Sequence, residues 1–91
     1  MEYEWDENKS IENIRNHGFG FEIAVKAFDD DLAIPLLDEK HSDENETRYA
    51  LIGMCQIGLV FISFTFRGEN YRIISARKAS RKMEKMYADN D

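Results

Sequence analysis

Between Arg67 and Tyr87 the chain reads R-G-E-N-Y-R-I-I-S-A-R-K-A-S-R-K-M-E-K-M-Y, a segment that gathers seven of its twelve Lys and Arg residues. Clustered guanidiniums repel one another unless an anion neutralises them, and the planar fork of arginine matches the geometry of a phosphate. Arg67, Arg72, Arg77 and Arg81 therefore outline an anion-binding surface, with Lys78 beside them. The competing reading is that these cations pair with the surplus carboxylates of the N-terminal half, forming an ordinary solvated face.

If the anion is an RNA phosphate, cleavage without a metal needs three kinds of group. A base must take the proton of the 2′-hydroxyl, cations must stabilise the pentacovalent transition state, and an acid must protonate the leaving oxygen. Arginine supplies only the second, because it does not give up its proton. Proton transfer then falls to Glu46, His41, Tyr87, Lys78 or water. A histidine, or a glutamate raised by its surroundings, suits a base near neutral pH, so Glu46 and His41 lead and the choice between them stays open. Other residues have plainer explanations. His17 precedes a helix-ending glycine, where a C-terminal contact is expected. Asp29-Asp30-Asp31 and Glu2, Glu4 and Glu7 lack a compact ligand pattern with His, so no metal site is expected. Phe61, Phe64 and Phe66 are expected to pack in a central strand. Tyr87 belongs to an apolar helix face, with a hydroxyl that could reach the basic end of the sheet.

The elements that must position these groups follow from periodicity. A short strand over 2–5 precedes a helix capped by Asp6, carrying Ile11 and Ile14 on its apolar side and ended by Gly18. Phe21, Ala24, Val25 and Phe28 fall at i, i+3, i+4 and i+7, one face of a second helix. Residues 32–37 predict a strand restricted by Pro35 to an edge, and 38–47 an acidic loop. Three strands follow at 48–55, 59–66 and 71–76, joined by short turns into an antiparallel meander, the middle one covered on both sides. Beyond residue 76 the period becomes helical: Ala79, Met83, Met86 and Tyr87 share one face, and Arg77, Arg81 and Lys85 another. The expected class is α+β.

Ninety-one residues make a single domain, 1–91, able to bury roughly 60–65% of its unfolded surface. Residues 1–46 carry a net charge of −10 and the remainder +4, so the chain is a dipole in sequence despite its overall −6. Such asymmetry permits local contact with nucleic acid while weakening long-range attraction to a polyanion. A lone Cys55 forms no intramolecular disulfide, and the longest apolar run, 57–66, is too short to span a bilayer, so a soluble cytoplasmic protein without membrane contact is expected.

Three blocks resemble the BrnT toxins of bacterial toxin–antitoxin pairs, small ribonucleases of RelE-like fold. The first is E-W-D-E-N-K-S-I-E-N-I-R-N-H-G-F-G-F-E-I-A, with Trp5, Asp6, Lys9, Asn13, His17, Gly18, Phe21 and Glu22 in the family order. The second comprises His41-Ser42, Glu46-Thr47-Arg48 and Ile52-Gly53; the third, Arg67-Gly68 and R-I-I-S-A-R-K-A-S-R at 72–81 with Tyr87. The resemblance implies a ribonuclease that inhibits translation and needs no cofactor. It implies neutralisation by BrnA, a ribbon-helix-helix antitoxin, in a two-toxin, two-antitoxin assembly that meets DNA only through the antitoxin. On this reading Arg48, Arg67, Arg77 and Arg81 stabilise the phosphate, Arg72 and Lys78 bind substrate, Glu46 or His41 moves protons, and Tyr87 positions the RNA. Where the family's last helix commonly has glutamate the chain has Met83, with Glu84 turned about 100° around the helix. The alternative function is a non-catalytic module whose basic cluster binds an acidic partner.

Overall fold

The computed structural model describes residues 2–90. Its elements in order are β1 (Tyr3–Glu4), α1 (Glu7–His17), α2 (Phe21–Ala24) continuing into a 3-10 turn (Val25–Asp29), β2 (Ile34–Asp38), β3 (Arg48–Cys55), β4 (Gly58–Arg67), β5 (Asn70–Lys78) and α3 (Arg81–Asp89). The strands form one sheet in the order β1-β5-β4-β3-β2. All neighbours are antiparallel except β1, which lies parallel to β5. The class is α+β, as expected, with the meander extended to four strands and closed by a parallel edge that the sequence pattern did not indicate. Pro35 sits in an edge strand, where its missing amide hydrogen is tolerated.

Helix α1 starts where Asp6 accepts the Asn8 amide at 2.9 Å and stops at Gly18, whose φ of 86° is open to glycine without a Cβ penalty. Its inward side differs from the expected one. Ile11 and Ile14 are 47% and 53% exposed, whereas Ser10 and Asn13 are buried. The Phe21 amide donates to Ser10 Oγ (3.0 Å), while Asn13 donates to the Phe19 carbonyl (2.9 Å) and accepts from the Ala76 amide (3.4 Å). These bonds dock the helix on α2 and β5 through polar groups that are all satisfied. The second helix is only one α-turn before it tightens, yet Phe21, Ala24 and Val25 enter the core as the spacing requires.

The core joins this helical layer to one face of the sheet, through Leu51 of β3, Val60, Ile62 and Phe64 of β4, and Ile73 and Ala76 of β5. Gly53 lies on the same face. A Cβ there would stand 2.8 Å from the Ala27 carbonyl oxygen, so only glycine admits the 3-10 turn so close to β3. The opposite face is only partly covered. Helix α3 packs against β3 and buries none of its own residues completely. Across β3, β4 and β5 this open face carries Ala50, Ser63 and Ser75 in register, flanked by Ile52, Phe61 and Arg77 on one side. On the other side runs a charged row formed by Asp38, Arg48, Thr65, Arg72 and Glu4. The expectation that the middle strand is covered on both sides is thus corrected around Phe61 and Ser63, both half-exposed.

Candidate functional site

The row of small side chains makes a hollow in the open face. Ala50, Ser63 and Ser75 floor a cleft of about 460 Å³; His41, Arg48 and Leu36 stand along one wall, and Phe61, Ile74 and Arg77 along the other. Bulkier residues at the floor positions would fill it.

Each wall is held differently. His41 lies in the acidic loop three residues past the end of β2, and its Nδ1 lies 2.9 Å from Asp38 Oδ2 while its backbone amide donates to Asp38 Oδ1 at 3.2 Å. A carboxylate can only accept, so this contact places the imidazole proton on Nδ1 and leaves Nε2 as the acceptor. Ser42 fastens the loop to the sheet: its hydroxyl donates to the Asp38 carbonyl (2.6 Å) and accepts the Arg48 amide (2.8 Å). Arg48 points into the cleft with its Nε 2.6 Å from Glu46 Oε1, which orients the guanidinium and offsets part of its charge. Opposite, the Arg77 guanidinium lies 5.0 Å from the Phe61 ring centroid. A cation over an aromatic face gains roughly 0.5–1 kcal/mol when exposed, enough to favour one position while keeping the charge. No described carboxylate pairs with Arg77, so among the cleft's cations it is the one left to an incoming anion.

The structure brings together Arg77, Arg48 and His41, with Glu46 behind Arg48. It does not bring the remaining expected residues into the cleft. Arg72 shares the open face but is bound to Glu4 at 3.2 Å. Arg67 ends β4 at the β4–β5 turn, and Arg81 begins α3; both are exposed, and neither lines the cleft. Lys78 pairs with Val60, so alternation turns it to the helix-covered face, away from Arg77. Arg77 itself lies within β5 rather than entering the last helix, so the expected helical stripe of Arg77, Arg81 and Lys85 does not form.

Tyr87 is engaged elsewhere. Its hydroxyl donates to Asp30 Oδ2 at 2.7 Å, which anchors α3 to the turn after the 3-10 segment rather than to the basic end. The same carboxylate accepts the Met54 amide (2.8 Å) and the Leu32 amide (3.0 Å). Burial raises the Asp30 pKa, but the three hydrogen bonds outweigh it and the net shift is downward. One member of the acidic triplet is therefore a structural clasp. Tyr3, stacked on Tyr71, has its phenol pKa raised by burial, then by the nearby Asp29 and Tyr71.

Sequence reasoning missed Asp38, Phe61 and the small floor residues as parts of the site. Asp38 was recoverable, since an acid three residues before a histidine at a strand exit can bond its ring. The pairing of Phe61 with Arg77 was not, because it depends on strand register. Among the described residues no group of three or more His, Cys, Asp or Glu is placed to hold a metal ion, and no helix is long and apolar enough to cross a membrane. A family model described as the ribonuclease toxin BrnT of type II toxin–antitoxin systems matches residues 5–82. No curated protein matches the chain.

Proposed function

The chain belongs to the BrnT family of ribonuclease toxins of type II toxin–antitoxin systems, and from that premise we propose that it cleaves RNA without a metal in the cleft between His41 and Arg77. The observation that carries this reading is the pairing of an oriented imidazole with an uncompensated guanidinium across a floor of small side chains.

The RNA phosphate lies between the walls, held by Arg77 and Arg48. His41 Nε2 takes the proton of the 2′-hydroxyl, whose oxygen attacks the adjacent phosphorus. Negative charge building on the phosphoryl oxygens is met by the two guanidiniums, Arg77 contributing more because no described carboxylate shares it. The bond to the 5′-oxygen breaks, water supplies that oxygen with a proton, and the products are a 2′,3′-cyclic phosphate and a 5′-hydroxyl. Glu46 acts as a positioning residue, since its carboxylate is already committed to Arg48. Cleavage of cellular RNA then inhibits translation.

A type II toxin–antitoxin family implies an antitoxin partner. Here the partner is a BrnA-like ribbon-helix-helix protein in a 2:2 assembly, which silences the toxin by laying an acidic or carbonyl-rich segment across Arg77 and Arg48. Purified protein incubated with a long RNA in excess EDTA tests the catalytic reading. Cleavage lost in both His41→Ala and Arg77→Ala supports it, and intact RNA with folded wild-type protein contradicts it.

A further inference from the structure

A second cleft, of about 220 Å³, lies where α1 meets β5, and nothing in the catalytic reading uses it. Lys9, Glu12, Asn16 and His17 line it from successive turns of one helix face, and Ile74 and Ser75 line it from β5. Those two β5 residues also line the catalytic cleft, so the two hollows meet at a shared ridge.

Two features of the sheet keep that ridge open. Ser63 pairs with Ser75 while Phe64 pairs with Ile73, which leaves Ile74 as an extra residue of a β-bulge. Bulges re-aim side chains and recur beside active sites. Moreover, among the described residues β1 pairs with β5 only at Tyr71 and Arg72, and none of them forms a strand that walls off the edge at Ile74–Ser75. A flexible polymer held in the first cleft can pass over this edge into the second.

We infer that the second cleft is a nucleotide subsite, which receives the residue of single-stranded RNA one step beyond the two that flank the cleaved phosphate; the inference rests on the ribonuclease reading above. Its chemistry suits one nucleotide rather than a bare anion. Asn16 offers a donor and an acceptor to a base edge, and Glu12 accepts from a base amino group while repelling a phosphate placed in the middle. Lys9 and His17, at the two ends of the face, pair with no described carboxylate and attract the flanking phosphates. Asn13 is excluded, because its amide is spent on Phe19 and Ala76.

The test measures binding of 2′-O-methyl oligonucleotides, which resist 2′-hydroxyl attack, at lengths of two, four and eight nucleotides. Wild-type affinity should rise with length. Lys9→Ala combined with Asn16→Ala alters two exposed residues, so the fold should survive and the dinucleotide should bind as before. The gain on lengthening should drop by about tenfold, roughly the loss of one charge-assisted hydrogen bond. The slope of log affinity against log salt should become shallower by about 0.7, one phosphate contact on a single strand. If the double variant keeps the full gain and the same slope, the strand leaves the catalytic cleft by another route and the inference is wrong. Arg77→Ala, run in parallel, should weaken all three lengths. Wild-type protein that binds none of them would overturn the ribonuclease reading and this inference together.

Discussion

Replacing Asp38 by asparagine tests how the imidazole proposed as general base is held. Both oxygens of Asp38 face His41, one accepting its backbone amide and the other its Nδ1 proton. The asparagine can keep the first contact, but its NH2 group then faces Nδ1 and favours the tautomer protonated at Nε2, which cannot accept the 2′-hydroxyl proton. A well-placed general base contributes about 10²–10⁴ in rate. The His41 side chain is 62% exposed and Asp38 20%, so water competes for the ring, and loss of its orienting partner should cost no more than the bottom of that range. The expected loss is about 10- to 100-fold in kcat, or about 1.4–2.7 kcal/mol, with KM nearly unchanged because neither guanidinium is touched. His41→Ala should lose about 100-fold or more. Initial rates on an end-labelled RNA measure both variants, and 15N shifts of the ring report the tautomer directly. An Asp38→Asn variant with wild-type kcat, beside an inactive His41→Ala variant, would show that His41 needs no orienting carboxylate.

Arg77→Ala should leave the melting temperature nearly unchanged, since the side chain is exposed, and lower cleavage and cellular toxicity at least about tenfold, or about 1.4 kcal/mol; lysine there should rescue only partly, lacking the planar fork. At the clasp, Tyr87→Phe should cost about 1 kcal/mol and Asp30→Ala about 2–4 kcal/mol by denaturant unfolding, for loss of one and three hydrogen bonds to a half-exposed carboxylate. The lowered pKa of Asp30 means that its contribution is fully present above the ordinary value of 3.8 and is lost as pH falls through the lower folded value. Asp30→Ala should therefore narrow the gap to wild type in acid, seen in melts across pH 2–6. Gly53→Ala should destabilise by about 1–3 kcal/mol, because its methyl meets the Ala27 carbonyl rather than a movable side chain.

Much of the fold was legible because local signals carried it. Asp6 and Gly18 bracket α1 through contacts within a few residues, and β3 runs over the expected 48–55. What failed depended on distant partners. Ile11 and Ile14 gave α1 an apolar stripe, but its buried side is chosen by Phe19, Phe21 and β5, which need the amide of Asn13 and the hydroxyl of Ser10. The short strand expected over 2–5 is present as β1, but its parallel pairing joins positions 68 residues apart, beyond the reach of any local signal. The site divides the same way. The arginine-rich segment and the histidine of the acidic loop were visible by residue type. Which arginine of the cleft lacks a described carboxylate partner was not, because it depends on Glu46 reaching Arg48 and not Arg77, while Glu4 is held by Arg72. Tyr87 was misplaced for a related reason: its partner Asp30 lies 57 residues away in an acidic triplet with no apparent role.

The chemistry of the RNA ends tests the central claim most directly. Purified protein is incubated with a defined single-stranded RNA in excess EDTA, and the fragments are analysed by mass. Attack by the 2′-oxygen in the His41–Arg77 cleft predicts 2′,3′-cyclic phosphate and 5′-hydroxyl ends, and no cleavage at a site bearing a single 2′-deoxy substitution. Fragments with 5′-phosphate and 3′-hydroxyl ends, or unimpaired cleavage at the 2′-deoxy position, would mean that water rather than the 2′-hydroxyl is the nucleophile, and would contradict the account.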